Sequence, residues 1–327
     1  MIISRTPLRM SFVGGGSDLP AFSRRYGGAV VSTAIDKFVY ITVNRKFDDR
    51  VRLSYSRTEE VKSVARIQHP LVRECLKKLE PAGGIEITSI ADIPSRGTGL
   101  GSSSSFTVGL LHALHAYQGQ YRSAQQLAEE SCEIEIERCG EPIGKQDQYA
   151  AAFGGFNFIQ FHPDESVSVE PIICQRETLR RLQESLLVFY TGISRRAAAV
   201  LEQKQRSIAT ELGKQKVVRQ MVDLAHQLRA ELQNNRLDAF GEIIHANWEL
   251  KKSLSTHVST DLIDRWYATA RRHGAVGGKI LGAGSGGFLL LWAPRERHEA
   301  IVRALSRLRP VAMRIEPQGS KIIFVHD

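Results

Sequence analysis

Val39, Ile41 and Val43 alternate with Tyr40, Thr42 and Asn44, a period of two that predicts a strand buried on one face. Ile85-Glu86-Ile87-Thr88-Ser89-Ile90 repeats the pattern. Between them, residues 71–79 read as a helix opened by Pro70. After Gly101 the apolar positions Phe106, Leu110, Leu111 and Leu114 take helical spacing and predict an amphipathic helix. A second helix is expected over about 124–139, behind Ser123 as N-cap. Gly154-Gly155 ends a further helix, and residues 156–161 read as a strand. From about Ser166 the character changes. Residues 186–190 are strand-like, and three or four helices are expected between Arg195 and about His273. Strands at 276–281 and 288–293 flank a glycine-rich turn. A helix over about 295–308 and two last strands, 312–316 and 322–325, close the chain. With no internal repeat and no low-complexity linker, the reading is an α+β protein of two intimately packed halves, divided near residue 165.

A chain of 327 residues is long enough for two packed cores, and 42% hydrophobic with 24% charged residues is ordinary globular composition. No apolar run approaches the ~20 residues that cross a bilayer; Phe288-Leu289-Leu290-Leu291-Trp292-Ala293 is only strand-sized. The first residues lack the pattern of a secretory signal, so a cytoplasmic protein without a membrane partner is expected. The four cysteines, Cys75, Cys132, Cys139 and Cys174, form no C-x-x-C pair and read as reduced thiols. The histidines show no zinc spacing. The net charge of +9 leaves nucleic acid, an anionic surface or small anionic ligands open. The basic residues are dispersed, however, and aromatics make up only 7%, too few to build stacking platforms, so no nucleic-acid partner is expected. The charge fits binding of phosphorylated small molecules, or simply a solvated basic surface.

Four segments carry candidate chemistry. Pro94-Ser95-Arg96-Gly97-Thr98-Gly99-Leu100-Gly101-Ser102-Ser103-Ser104-Ser105 leads straight into a helix. Its glycines let successive N–H groups face an anion, the helix N-terminus adds its positive dipole end, and the serines offer hydroxyls to phosphate or metal. It lacks the G-K-[ST] ending of a Walker A loop, and a Gly/Ser loop with a capping serine is the alternative. In the second segment, from Arg5 to Asp18, a strand runs into Gly14-Gly15-Gly16-Ser17 and delivers Asp18, which either accepts hydrogen bonds from ligand hydroxyls or caps the helix starting at Leu19-Pro20. The third runs from Glu135 to Tyr149, where Glu135 and Asp147 flank a Gly/Pro turn. Phosphoryl transfer uses a metal-holding acid and a base near the acceptor hydroxyl, and a cation such as Lys145 or Arg9 would keep Asp147 ionised. A solvated acidic helix face is the alternative, because Glu130, Glu133 and Glu137 surround Glu135. The fourth, Gly277 to Phe288, sets Gly282-Ala283-Gly284-Ser285-Gly286-Gly287 between two strands, lining a phosphate site or merely turning a hairpin.

Together the segments resemble the three signature motifs of the GHMP kinase superfamily, the galactokinase, homoserine kinase, mevalonate kinase and phosphomevalonate kinase group, in order and across nearly the whole chain. Gly14-Gly15-Gly16-Ser17-Asp18 stands where many members read G-E-H-x-D. With Gly140-Glu141-Pro142-Ile143-Gly144-Lys145-Gln146-Asp147-Gln148-Tyr149, Tyr26-Gly27-Gly28-Ala29-Val30 and Ile35-Asp36-Lys37, it is similar to the D-glycero-D-manno-heptose 7-phosphate kinase branch. The resemblance implies the two-domain GHMP fold: an N-terminal α/β nucleotide-binding domain, residues 1–165, and a C-terminal ferredoxin-like α+β domain, residues 166–327. It implies an ATP- and Mg2+-dependent kinase that phosphorylates a sugar or sugar phosphate, in that branch the anomeric hydroxyl of heptose 7-phosphate. Gly97, Gly99, Leu100, Gly101, Ser102, Ser103 and Ser104 are implied around the ATP phosphates, with Gly282, Ala283, Gly284 and Ser285 nearby. Ser103 and Glu135 are implied at the metal, with Glu137 the alternative acid. Asp147 is implied as catalytic base with Arg9 beside it, and Gly15, Gly16, Ser17 and Asp18, with Asp147, around the sugar. Arg195, Arg196 and Lys37 are candidates for a substrate phosphate.

Overall fold

A computed structural model describes residues 1–94, 97–193 and 207–326. Its strands are β1 (Ile2–Val13), β2 (Gly28–Arg45), β3 (Val51–Ser54), β4 (Thr58–Val61), β5 (Ile85–Ala91), β6 (Phe156–Phe161), β7 (Val167–Pro171), β8 (Leu186–Tyr190), β9 (Gly277–Ile280), β10 (Phe288–Trp292), β11 (Arg309–Pro310) and β12 (Lys321–Val325). The helices of the first half and the junction are α1 (Pro20–Tyr26), α2 (Pro70–Leu79), α3 (Ser102–Tyr117), α4 (Ala124–Cys132), α5 (Gln146–Phe153) and α6 (Arg176–Glu184). Helices Leu212–Gln233, Phe240–Leu254, Asp261–Arg272 and His298–Ala304 follow.

Two sheets organise the chain. The larger has the order β12-β1-β2-β5-β3-β4, with β6 and β7 attached. The long β2 runs antiparallel to β1 on one side. On its other side, residues 28–33 pair with β6 and residues 39–45 with β5. The smaller sheet, β11-β8-β10-β9, is antiparallel. β12, at the end of the chain, returns to the larger sheet beside β1.

Most of the expected elements form. Ser123 caps α4 through a reciprocal capping box with Gln126. Three expectations change. The helix after Gly101 is not amphipathic but buried nearly all round, because its small residues lie directly on β1: a Cβ at Gly109 would stand 2.7 Å from Thr6 Oγ1, and Ser4 Oγ donates to Gly109 O. The helix expected over 124–139 stops being α at Cys132 and continues as a π-helix, Glu133–Arg138, whose last bond is Cys139 N–H to Ile134 O. Residues 312–316 form no strand. They meet β2 through a single bridge, Ile35 to Ile315, and a few flanking backbone bonds, while the pairing with β8 is made by Arg309–Pro310.

One large apolar core joins Leu8, Phe12 and Val31 of the first half to Phe240, Leu281 and Trp292 of the second. Phe240 is its hinge pin, with ring centroids 5.3 Å from Phe12 and 4.4 Å from Trp292. A second cluster around Phe189, Trp248, Ile263 and Leu291 belongs to the second half. The halves therefore share a packed interface, and the candidate residues lie along it.

Candidate active site

β1 ends at the centre of this interface, and Arg9 is where it begins to organise the site. Arg9 N–H donates to Leu100 O at 3.0 Å, and its guanidinium donates to Gly99 O at 2.7 Å. The remaining guanidinium donors form a fork on Asp147, Nε to Oδ1 and Nη2 to Oδ2, both 2.7 Å. Arg9 is 3% exposed, so its charge is compensated by this carboxylate, and a planar bidentate pair is the geometry that best compensates a guanidinium out of water. Lys145, the other cation considered for Asp147, reaches Glu165 instead, bonding its carbonyl at 2.9 Å.

The loop so held, residues 97–101, enters α3 through Gly101, whose φ of +74° is left-handed. Among the described residues no side chain caps the helix, which leaves the N–H groups of the first turn for an incoming anion. The second glycine loop, residues 282–287, packs on the first backbone against backbone. A Cβ at Gly282 would lie 2.4 Å from Gly99 Cα, and one at Gly287 would lie 2.3 Å from Thr98 O. The loop is the β9–β10 turn and also packs against the first glycine loop. Ser285 is the exception. Its hydroxyl is committed to the backbone, donating to His257 O.

Glu135 comes up under the first turn of α3. Ser103 Oγ donates to its Oε1 and Ser104 Oγ to its Oε2, both at 2.7 Å, and Gln148 Nε2 donates to Oε2 at 2.6 Å. The residue is fully buried, and that burial pushes its carboxyl up to about 7; the three hydrogen bonds pull against the rise and the charge of Asp147 adds to it. Glu137, the alternative acid, is exposed on the outer side of the π turn. An exposed Ser103 hydroxyl and a buried carboxylate give hard oxygen donors, a set that fits magnesium shared with ATP phosphates.

Gly14 to Asp18 fold into a compact turn, with Ser17 N–H donating to Gly14 O. Asp18 does not cap α1, whose N-cap is Leu19. Instead its carboxylate accepts from Gly16 N–H at 2.9 Å and from the backbone and side-chain nitrogens of Gln146 at 3.4 and 3.3 Å. Gly144 allows this approach, since a Cβ there would fall 2.1 Å from Asp18 Oδ2. Gly15 and Gly16 form the middle of the turn, and Ser17 points its hydroxyl at β2. Ser17 is fully buried and its hydroxyl bridges the N–H and C=O of Ala29, so it fastens the turn to β2 rather than meeting a ligand. Lys37 bonds the carbonyl and carboxylate of Asp36, and Arg195 and Arg196 lie outside the described residues.

The first turn of α5 ties the parts together. Gln146, Asp147 and Gln148 are consecutive, and their side chains reach Asp18, Arg9 and Glu135 respectively. Both glutamines lie inside a recognised segment, yet nothing in their spacing marked them. Asn247, in helix Phe240–Leu254, carried no motif signal and still reaches the site, where its Oδ1 accepts from Gly14 N–H at 3.0 Å. From the same side Lys279 donates to Ser11 O and Phe12 O, at 2.8 and 3.0 Å, and Lys251 to Gly282 O.

This arrangement presents a charge-clamped carboxylate beside a glycine loop that opens a helix N-terminus, a layout suited to phosphoryl transfer. The comparisons agree. Residues 64–155 match the model of the GHMP kinases N terminal domain, and residues 228–310 match that of the GHMP kinases C terminal. The D-glycero-alpha-D-manno-heptose 7-phosphate kinase of Campylobacter jejuni is 29% identical over 94% of this chain and 93% of its own. The galactokinase of Pyrococcus furiosus is 26% identical over 94% of this chain and 93% of its own. The crystal structure of a D-glycero-D-manno-heptose 1-phosphate kinase from Bacteroides thetaiotaomicron superposes with a TM-score of 0.82, covering 100% of both chains at 24% identity, which establishes the fold. The chain belongs to the GHMP kinase family and is an ATP-dependent phosphotransferase of that fold.

Proposed function

We propose that this sugar kinase transfers the γ-phosphoryl group of ATP to the anomeric hydroxyl of D-glycero-D-manno-heptose 7-phosphate, giving the 1,7-bisphosphate. The observation that carries the kinase chemistry is the bidentate Arg9–Asp147 pair lying against the Gly99–Gly101 loop. The heptose acceptor is supported by the end-to-end similarity to the Campylobacter jejuni kinase and by the Gly14–Asp18 turn that stands in place of G-E-H-x-D.

In this reading the N–H groups of Ser102, Ser103 and Ser104, with Gly97, Gly99, Leu100 and Gly101, bind the triphosphate. Gly282, Ala283 and Gly284 back that loop. The sugar lies over Gly15 and Gly16 beside Asp18. Its attacking oxygen gives its proton to Asp147 and bonds to the γ-phosphorus, the bond to the β–γ bridging oxygen breaks, and ADP leaves. Arg9 holds Asp147 in place and offsets negative charge at the phosphate loop. Ser103 and Glu135 are the residues that would hold Mg2+, which when bound supplies charge neutralisation at the phosphates.

The second reading is a kinase of a free hexose, favoured by the Pyrococcus furiosus galactokinase similarity. ADP release measured with Mg-ATP against heptose 7-phosphate, galactose, fucose and mevalonate decides between them. Turnover confined to heptose 7-phosphate is expected. Turnover confined to a hexose keeps the chemistry and discards the acceptor, and ATP binding without turnover on any of the four overturns the sugar-kinase reading.

A further inference from the structure

Three buried polar atoms around the Gly14–Gly16 turn find no hydrogen-bond partner among the described residues: Ser11 Oγ, Gln146 Oε1 and Asn247 Nδ2. A buried hydroxyl or amide left unpaired carries its full desolvation penalty, so three at one place is not a packing accident to be expected in a relaxed core. Two of them flank the same space. The point where a Cβ would stand on Gly15 is 3.7 Å from Ser11 Oγ and 3.9 Å from Gln146 Oε1. The third sits on the neighbouring residue, because Asn247 holds Gly14 N–H.

The orientation of both amides is fixed by their other ends. Gln146 Nε2 donates to the Asp18 carboxylate, so turning the amide over would set oxygen against oxygen. Asn247 Oδ1 accepts from Gly14 N–H, so its NH2 is the end left over. What remains is one acceptor, one amide donor and one hydroxyl that can act as either. The set carries no charge. A phosphate or carboxylate calls for donors alone, whereas vicinal hydroxyls both give and accept. Gln146 precedes Asp147 in the chain, which puts this set beside the carboxylate already assigned to the acceptor's reacting hydroxyl.

We infer that Ser11, Gln146 and Asn247 are specificity-determining residues that read non-reacting hydroxyls of the sugar, from β1, α5 and the second half's helix Phe240–Leu254 at once. The inference rests on the sugar-kinase reading above and adds to it the groups that recognise the ring. It also explains Gly15, since a side chain there would fill the space that Ser11 Oγ and Gln146 Oε1 flank.

Ser11→Ala and Asn247→Asp test it. The first removes a hydroxyl that makes no internal bond. The second keeps the acceptor for Gly14 N–H and replaces the amide donor by an oxygen. Both variants and the wild type are assayed with heptose 7-phosphate, galactose and fucose, and their melting is followed with each sugar in the presence of ADP. The expected result is an acceptor KM raised tenfold or more in each variant with ATP KM within twofold, and loss of the sugar-induced rise in melting temperature. Ser11→Ala without sugar is expected to melt no lower than the wild type, because a purely structural serine would show the opposite. A wild type that turns over a sugar while both variants keep its acceptor KM overturns this inference alone. A wild type that binds ATP but neither turns over nor is stabilised by any of the three sugars overturns the sugar reading and this inference with it.

Discussion

Glu135 is a carboxyl group taken out of water and held by Ser103, Ser104 and Gln148, and its proton affinity follows from that position. Burial raises its pKa from the ordinary 4.5 to about 7. Between those values the folded protein keeps a proton that the unfolded chain has lost. Stability from this group is therefore complete below about pH 4.5 and disappears as the pH rises through about 7. His112 works in the other direction: burial pulls its imidazole from 6.5 down to about 4, so its contribution is lost as the pH falls through that range. The difference between wild type and Glu135→Gln isolates the first effect. In urea titrations without nucleotide or metal, wild-type stability is expected to fall relative to Glu135→Gln between about pH 4.5 and 7. Parallel curves would place the proton elsewhere. Asp147→Asn keeps shape and one acceptor for Arg9 but cannot take a proton. We expect kcat to drop by about 100-fold or more with ATP KM nearly unchanged, and near wild-type kcat would remove Asp147 from the base role. Arg9, Asp147 and Glu135 were legible chiefly through the resemblance to the family's motifs, since alone the acidic stretch around Glu135 reads equally as a solvated helix face. Ser17 and Ser285 were not, because a serine's hydroxyl serves backbone and ligand equally well, and only the fold decides which one it meets.

At the scale of elements, the two glycine loops show what the spacing of residues conveyed and what it missed. Their glycine density pointed to a ligand, yet the closest demand on Gly99, Gly282 and Gly287 is the approach of one loop to the other. Gly282 and Gly83 separate the causes. Both have φ above +70°, so alanine strains either backbone by about 1–2 kcal/mol, but a Cβ at Gly83 meets nothing within 4 Å. Gly83→Ala is expected to lose that strain energy alone and to keep ATP KM. Gly282→Ala, with Gly99 Cα 2.4 Å away, is expected to lose more and to raise ATP KM severalfold as the phosphate loop shifts. Equal losses in urea, with equal ATP KM, would mean that the loops do not support one another. The π-helix at 133–138 was invisible to periodicity, because a widened turn alters the bond partner and leaves the residue types alone. It nonetheless decides that Glu135 faces inward while Glu137 faces water. The missing strand at 312–316 has a comparable cause, since alternating side chains make a strand only where a neighbour offers a full ladder, and here one bridge is available.

For the whole molecule, the site exists only while both halves are folded. Lys279 holds the end of β1, Asn247 holds Gly14, Phe240 fills the gap between Phe12 and Trp292, and β12 returns to β1. Ser320, just before β12, is bonded to Thr6 of β1 and His112 of α3. A core shared in this way predicts one cooperative transition rather than two. The sequence supplies separate reporters for the two halves. All three tryptophans, Trp248, Trp266 and Trp292, lie in the second half, and the fully buried Cys75 and nearly buried Cys132 lie in the first. Tryptophan fluorescence in urea therefore follows one half, and site-resolved thiol labelling of Cys75 and Cys132 follows the other. The two midpoints are expected to coincide, and ADP, although the proposed phosphate loop belongs to the first half, is expected to move both by the same amount. If labelling precedes the fluorescence change, or if ADP moves only one midpoint, the interface is a contact between independently stable domains, and the inter-domain groups around Gly14 hold the site by proximity rather than by shared folding.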